Sequence, residues 1–150
     1  MTQQTFDIES IADTDRLGRA LANALPAGSV VALVGPLGAG KTRLVQAVAE
    51  ELGVDREIVT SPTFVLVNEY RHACRPIYHF DAYRLKDETE FLDLGPEEYF
   101  HGGGLTFIEW GDRVADLLPA KTVRIEFTLL AGEHRTIYVH NGPTITIDNG

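Results

Sequence analysis

One cysteine, one methionine and one tryptophan occur among the 150 residues. Cys74 alone cannot close an internal disulfide, and a single thiol fits a reducing compartment. The fold must therefore stand on its core, and a chain of this length can bury about 68–70% of its unfolded surface without covalent staples. Positive charge is also scarce. Thirteen Lys and Arg against 22 Asp and Glu leave a formal net charge of −9. Strong direct nucleic-acid binding rests on neutralising phosphates, which this balance opposes. Basic protein surfaces are the expected partners, and any RNA is expected to be held by another protein. No stretch approaches the ~18 continuous apolar residues that span a bilayer. Residues 1–10 contain neither an apolar run nor a basic leader. The expectation is a cytoplasmic protein with no membrane segment. No internal repeat or low-complexity segment is visible. Length predicts one domain over residues 1–150, with residues 141–150 as a candidate frayed tail.

What is present is a complete G-x-x-x-x-G-K-[ST] pattern, Gly35-Pro36-Leu37-Gly38-Ala39-Gly40-Lys41-Thr42. Its fixed positions arise by chance in a chain this long with a probability of roughly 1% at average residue usage. The context reduces that further, because an apolar run at residues 30–34 precedes the loop and a helix-like stretch at residues 41–52 follows it. Glycines let the backbone turn sharply and approach phosphate oxygens. Successive N–H groups then form an anion nest, and the following helix aims its positive end at the same place. Gly35, Gly38 and Gly40 are the glycines that take these turns. Lys41 supplies a point charge for the outer phosphates, and the Thr42 hydroxyl is a ligand for Mg²⁺. ATP and Mg²⁺ are the cofactors expected.

Strand-like runs alternate with helical ones. Residues 5–8 read as a first strand. A helix capped by Asp13 or Thr14 follows, with Leu17, Ala20, Leu21, Ala24 and Leu25 on one stripe. Beyond the loop helix, residues 64–70 and 77–80 read as a hairpin and residues 86–100 as short helices around Gly95-Pro96. Gly102-Gly103-Gly104 reads as a flexible joint, and residues 105–108 as another strand. A short helix stopped by Pro119 comes next, then a terminal hairpin over residues 123–130 and 136–140. The tail from residue 142 adds a strand or frays. The expectation is an α/β fold with a parallel core and antiparallel additions. Ligands of such sheets lie at the carboxyl ends of the strands, so Gly35, Asp81 and Glu109 should share an edge. Glu109 closes the cleaner apolar run and is preferred as the Mg²⁺-side acid, with Asp81 orienting water or binding through water. The plain alternative for either acid is a cap or a surface ion pair. Thr60, Ser61 and Thr63, around Pro62, form a polar loop that can sense a terminal phosphate; a simple turn is the plainer reading. Arg84 and Arg113 follow the two acids and read either as phosphate contacts or as surface pairs. Trp110 packs near the nucleotide, anchors a partner or fills core. His72, Cys74 and His79 fall short of a structural Zn²⁺ set.

These stretches resemble the TsaE family, formerly YjeE, of small bacterial ATPases in tRNA threonylcarbamoyladenosine synthesis. The resemblance rests on the loop, on Ser61-Pro62-Thr63-Phe64 with Leu66-Val67 and Tyr70, and on His79-Phe80-Asp81-Ala82-Tyr83-Arg84-Leu85. It extends to Glu90-Phe91-Leu92, Glu98-Tyr99-Phe100 and Phe107-Ile108-Glu109-Trp110, with Leu17-Gly18 in the first helix. It implies a three-layer phosphate-loop (P-loop) NTPase domain with a mixed sheet, and a partner-dependent ATPase that joins a TsaB–TsaD complex and meets tRNA through it. By the same likeness Leu37, Gly38, Ala39, Gly40, Lys41 and Thr42 hold the phosphates, Lys41, Asp81 and Glu109 are catalytic, Thr42 and Glu109 hold Mg²⁺, and Trp110 matches a functionally important position. Ile11, His134 and Arg135 form the base and ribose walls. Two departures stand out: Pro36 where an acid is frequent, and Arg43 where a second hydroxyl is common. The alternatives are a small-molecule kinase, whose lid over residues 86–104 would be oddly acidic, and a nucleotide-gated interaction module with negligible turnover.

Overall fold

A computed structural model describes residues 3–36, 38–59, 67–71 and 73–147. Among these residues seven strands form one mixed sheet: β1 Gln3–Ile8, β2 Val30–Val34, β3 Val67–Tyr70, β4 Ile77–Asp81, β5 Leu105–Glu109, β6 Val123–Leu129 and β7 Arg135–His140, in the order β1-β7-β6-β2-β5-β4-β3. The four central strands β6, β2, β5 and β4 run parallel. Antiparallel β7 and β1 extend one side and antiparallel β3 the other. The parallel core and the antiparallel additions both occur as expected. Strands β2, β4 and β5 are buried along nearly their whole length on both faces, as parallel strands require, and carry mostly apolar residues with His79 and Thr106 as polar interruptions.

Among the described residues four α-helices, α1 Ile11–Ala24, α2 Lys41–Glu51, α3 Glu88–Asp93 and α4 Pro96–Phe100, are accompanied by 3₁₀ segments at Arg56–Ile58 and Gly111–Leu117. One face of the sheet packs on α1 and α2 through Leu17, Leu21, Leu44, Val48, Phe107 and Ile125. The other packs Phe80, Phe91, Phe100, Ile108 and Val114. Among the described residues no helix is long and apolar enough to cross a membrane.

Several local expectations change. Helix α1 begins at Ile11, ahead of the expected Asp13 or Thr14 cap. Asp13 lies inside the first turn, where its carboxylate accepts the N–H of Glu9, the residue before the Ser10 cap, at 3.0 Å. Thr14 faces the core instead of capping. The expected stripe holds at Leu17, Leu21 and Leu25, with Ala20 and Ala24 half-buried against the core, and it widens to Thr14, Gly18 and Ala22. The small Gly18 decides this: a Cβ there would lie 2.4 Å from Ala47 Cβ, so α1 and α2 touch backbone to side chain. Gly104 is no flexible joint, since a Cβ there would meet Pro76 O at 2.5 Å. The helix expected before Pro119 is a 3₁₀ segment. The tail adds no strand over residues 142–147, and Ile145 is pinned by reciprocal bonds with the Gln4 side chain at 2.9 and 2.8 Å. The expected strand residues 64–66 lie outside the described residues.

Candidate phosphate-binding site

Strand β2 runs into the glycine loop at its carboxyl end. Gly35, Gly38 and Gly40 take φ of +152°, +78° and +106°, a region that costs other residues about 1–2 kcal/mol each. At Gly35 a Cβ would also lie 2.9 Å from the Cβ and carbonyl oxygen of Phe127, whereas at Gly38 it would meet open space. The loop is thus pressed on β6 at its root and open at its crown. Gly40 is the N-cap of α2 and brings no side-chain cap to the helix head, which suits an anion accepted from outside the chain.

Lys41 is buried. Its Nζ donates to the carbonyls of Gly35 and Pro36, the latter at 3.0 Å. It also lies 3.9 Å from the centroid of the Trp110 ring. Burial lowers the Lys41 pKa, and Glu109, Asp112 and Asp81 offset only part of that shift. Trp110 reaches the lysine because its own backbone is left-handed, φ +60°, an unusual state for a bulky residue.

Three buried polar groups stand under the helix head. Glu109 pairs in register with Leu33 of β2 and with Asp81 of β4, so the ends of β2, β4 and β5 meet as expected. The Thr42 hydroxyl donates to Glu109 Oε2 at 2.9 Å. Nε2 of His79 stands 2.5 Å from the same oxygen. Asp81 Oδ1 accepts the Tyr83 N–H at 3.0 Å, and Arg84 lies 3.4 Å from Oδ2. Burial raises the Asp81 pKa and the Glu109 charge adds to it; the Tyr83 N–H, Arg84 and His79 offset this only in part. A hydroxyl beside two carboxylates is a hard oxygen set that fits Mg²⁺, and the open loop with its basic residue fits phosphate.

The structure therefore brings together Gly38, Ala39, Gly40, Lys41, Thr42, Asp81 and Glu109. Leu37, Thr60, Ser61 and Thr63 lie outside the described residues. Ile11 and His134 are exposed, and they share a corner because β1 and β7 pair Ile8 with Arg135. The Arg135 guanidinium donates to Ala39 O at 2.5 Å, so it braces the loop. Exposed Leu129 and Leu130 stand at that hairpin end and were missed in the sequence, where they read as ordinary strand residues. His79 was missed too. The available signal was strand alternation, which puts residues 79 and 81 on one face. Arg84 pairs with Asp81, and Arg113 donates to the carbonyls of Tyr83 and Leu85, so both brace protein groups. Trp110 packs between Lys41 and Tyr83.

The fold and site together define a class: an α/β protein in which a glycine loop, a lysine at a helix head and strand-end acids meet at one sheet edge. Residues 8–137 match the family model described as threonylcarbamoyl adenosine biosynthesis protein TsaE, and the chain belongs to the TsaE family. It is 46% identical over 130 residues to a tRNA threonylcarbamoyladenosine biosynthesis protein TsaE of Treponema pallidum, covering 87% of this chain and 95% of the relative. A Synechocystis protein of the same name is 46% identical over 117 residues, 75% of this chain and 73% of the relative. The crystal structure of Bacillus subtilis YdiB superposes with a TM-score of 0.76 at 29% identity, covering 99% of this chain and 88% of that one.

Proposed function

We propose that this chain has a P-loop NTPase fold and acts as a Mg²⁺-dependent ATPase in tRNA N6-threonylcarbamoyladenosine biosynthesis. It works with a TsaB–TsaD-type protein pair and reaches tRNA through that pair. The pathway is the one named in the descriptions of the family model and of the relatives. The observation that carries the catalytic part is the bond from the Thr42 hydroxyl to Glu109, which joins a helix head to a strand end at 2.9 Å.

Thr42 and Glu109 are the residues that would hold Mg²⁺, whose charge would offset that of the outer phosphate oxygens. Lys41 would exchange two neutral carbonyl partners for phosphate oxygens, a stronger charge-assisted set. Asp81, with its pKa raised by burial and its carboxyl oriented by the Tyr83 N–H, accepts a proton more readily than an ordinary aspartate. That suits it to orient an attacking water. Arg135 keeps the loop crown in place by gripping Ala39 O. Exposed Ile11, Leu129 and Leu130 offer apolar surface for a base at the same corner.

Phosphate release by purified protein, alone and with the partner pair, tRNA and threonylcarbamoyl-adenylate, tests this reading when tRNA modification is followed in parallel. Free phosphate without a phosphorylated metabolite is the expected product, and it excludes the kinase alternative. Lys41→Ala should lose turnover and about 10–150-fold in nucleotide affinity, the worth of a charged hydrogen bond. Turnover at the wild-type rate in that variant would overturn the site.

A further inference from the structure

Beneath the head of α2 stands a histidine that the phosphate and metal chemistry above does not use. His79 is the middle residue of β4 and has 0% exposure. Its neighbours in register are Phe107 on β5 and Asn68 on β3. A buried imidazole normally finds partners for both nitrogens. Here Nε2 faces Glu109 Oε2 at 2.5 Å, while Nδ1 has no partner among the described residues. An apolar residue of similar volume would avoid that unmatched nitrogen, so core filling does not account for the imidazole. A carboxylate only accepts, so the imidazole donates, and its proton is on Nε2. The Thr42 hydroxyl donates to the same oxygen from another element. Two donors, one from β4 and one from α2, therefore converge on one oxygen of Glu109.

We propose that His79 is a positioning residue, whose Nε2–H holds the Glu109 carboxylate in the orientation that completes a divalent-cation site with Thr42. This rests on the Mg²⁺-nucleotide reading above and adds to it a residue that touches neither cation nor nucleotide. Metal-binding carboxylates and imidazoles are held by outer partners, and loss of such a partner typically costs about 10–100-fold in metal affinity.

The test is calorimetric titration of ADP into the full chain, with Mg²⁺ and with EDTA, for wild type, His79→Gln and His79→Asn. The glutamine amide reaches the position of Nε2, whereas the asparagine amide stops at that of Nδ1. Each variant buries one amide, so a purely structural role moves both alike. Mg²⁺ should tighten ADP binding in wild type, and His79→Gln should keep most of that increment. His79→Asn should lose about 10–100-fold of it, with the affinities in EDTA alike for all three proteins. Equal increments in all three, a loss in His79→Gln as large as in His79→Asn, or a loss of the same size in EDTA overturns the inference and leaves the nucleotide site standing. A wild type with no Mg²⁺ increment overturns the parent reading, and this inference with it. A second measurement needs no variant: nitrogen NMR of the wild-type imidazole should show the Nε2–H tautomer, and an Nδ1–H tautomer overturns the proposal.

Discussion

Lys41 is the residue whose partners must change most when phosphate arrives. Its ammonium is satisfied by two loop carbonyls and the face of Trp110, the sole tryptophan of the chain. Withdrawing a cation from 3.9 Å above an indole alters its environment. Titration with Mg-ADP should therefore shift Trp110 emission, and unchanged emission at saturating ligand would count against Lys41 as the phosphate contact. Asp81 shows the opposite compromise. Its pKa is raised, so the fold favours the protonated form. That contribution to stability is present at low pH and is lost as pH rises from 3.8 through the higher folded value. Asp81→Asn keeps an acceptor for the Tyr83 N–H and removes the charge beside Glu109. Thermal unfolding at pH 7 should show a gain of about 0.5–2 kcal/mol together with reduced turnover, as is common when a strained functional group is neutralised. A loss of stability would show that the Arg84 pair dominates. Thr42 and Glu109 were legible as single residues because each closes or opens a local pattern. His79 was not, because its partner lies 30 positions away on another strand.

The α1–α2 contact sets where the helix head stands over the acids. Gly18 lies within α1, so replacing it by alanine gains about 1 kcal/mol of helix propensity. The added Cβ would meet Ala47 Cβ at 2.4 Å, and overpacking of that kind costs about 1–3 kcal/mol. The clash wins, and Gly18→Ala should lower the urea midpoint; a raised midpoint would mean that the helices separate freely. Periodicity revealed α1 and its buried Leu17, Leu21 and Leu25 but not Thr14 and Gly18 beside them, which carry no strong apolar signal. Alternation and apolar runs located every described strand to within a few residues. How residues 142–147 are held was not legible, because Ile145 is bound by the Gln4 side chain, a contact across 141 positions.

At the scale of the whole molecule, acid stability depends on carboxylates that hold separate elements together. Asp15 on α1 accepts two bonds from Arg43 of α2 at 2.9 Å and faces Arg56 at 3.5 Å. Burial alone would raise its pKa, but the two guanidinium groups outweigh this and hold it below 3.8. Its stabilisation is thus present above 3.8 and is lost as pH falls through the lower folded value. Asp15→Asn should cost about 1–2 kcal/mol at neutral pH and flatten the acid limb of stability against pH. An unchanged acid limb would sink that account. Asp81 works against this trend, so the two aspartates pull the pH profile in opposite directions.

Sequence alone determined the loop, the helix it opens, the apolar strands and the acids that close them, because each is encoded within a few residues by spacing and backbone preference. Tertiary structure decided which acid meets Thr42. Strand order puts β5 beside β2 and β4 beyond it, and the bond from Thr42 to Glu109 spans 67 positions. That order comes from burying both sheet faces, a condition on the whole chain that no short window contains.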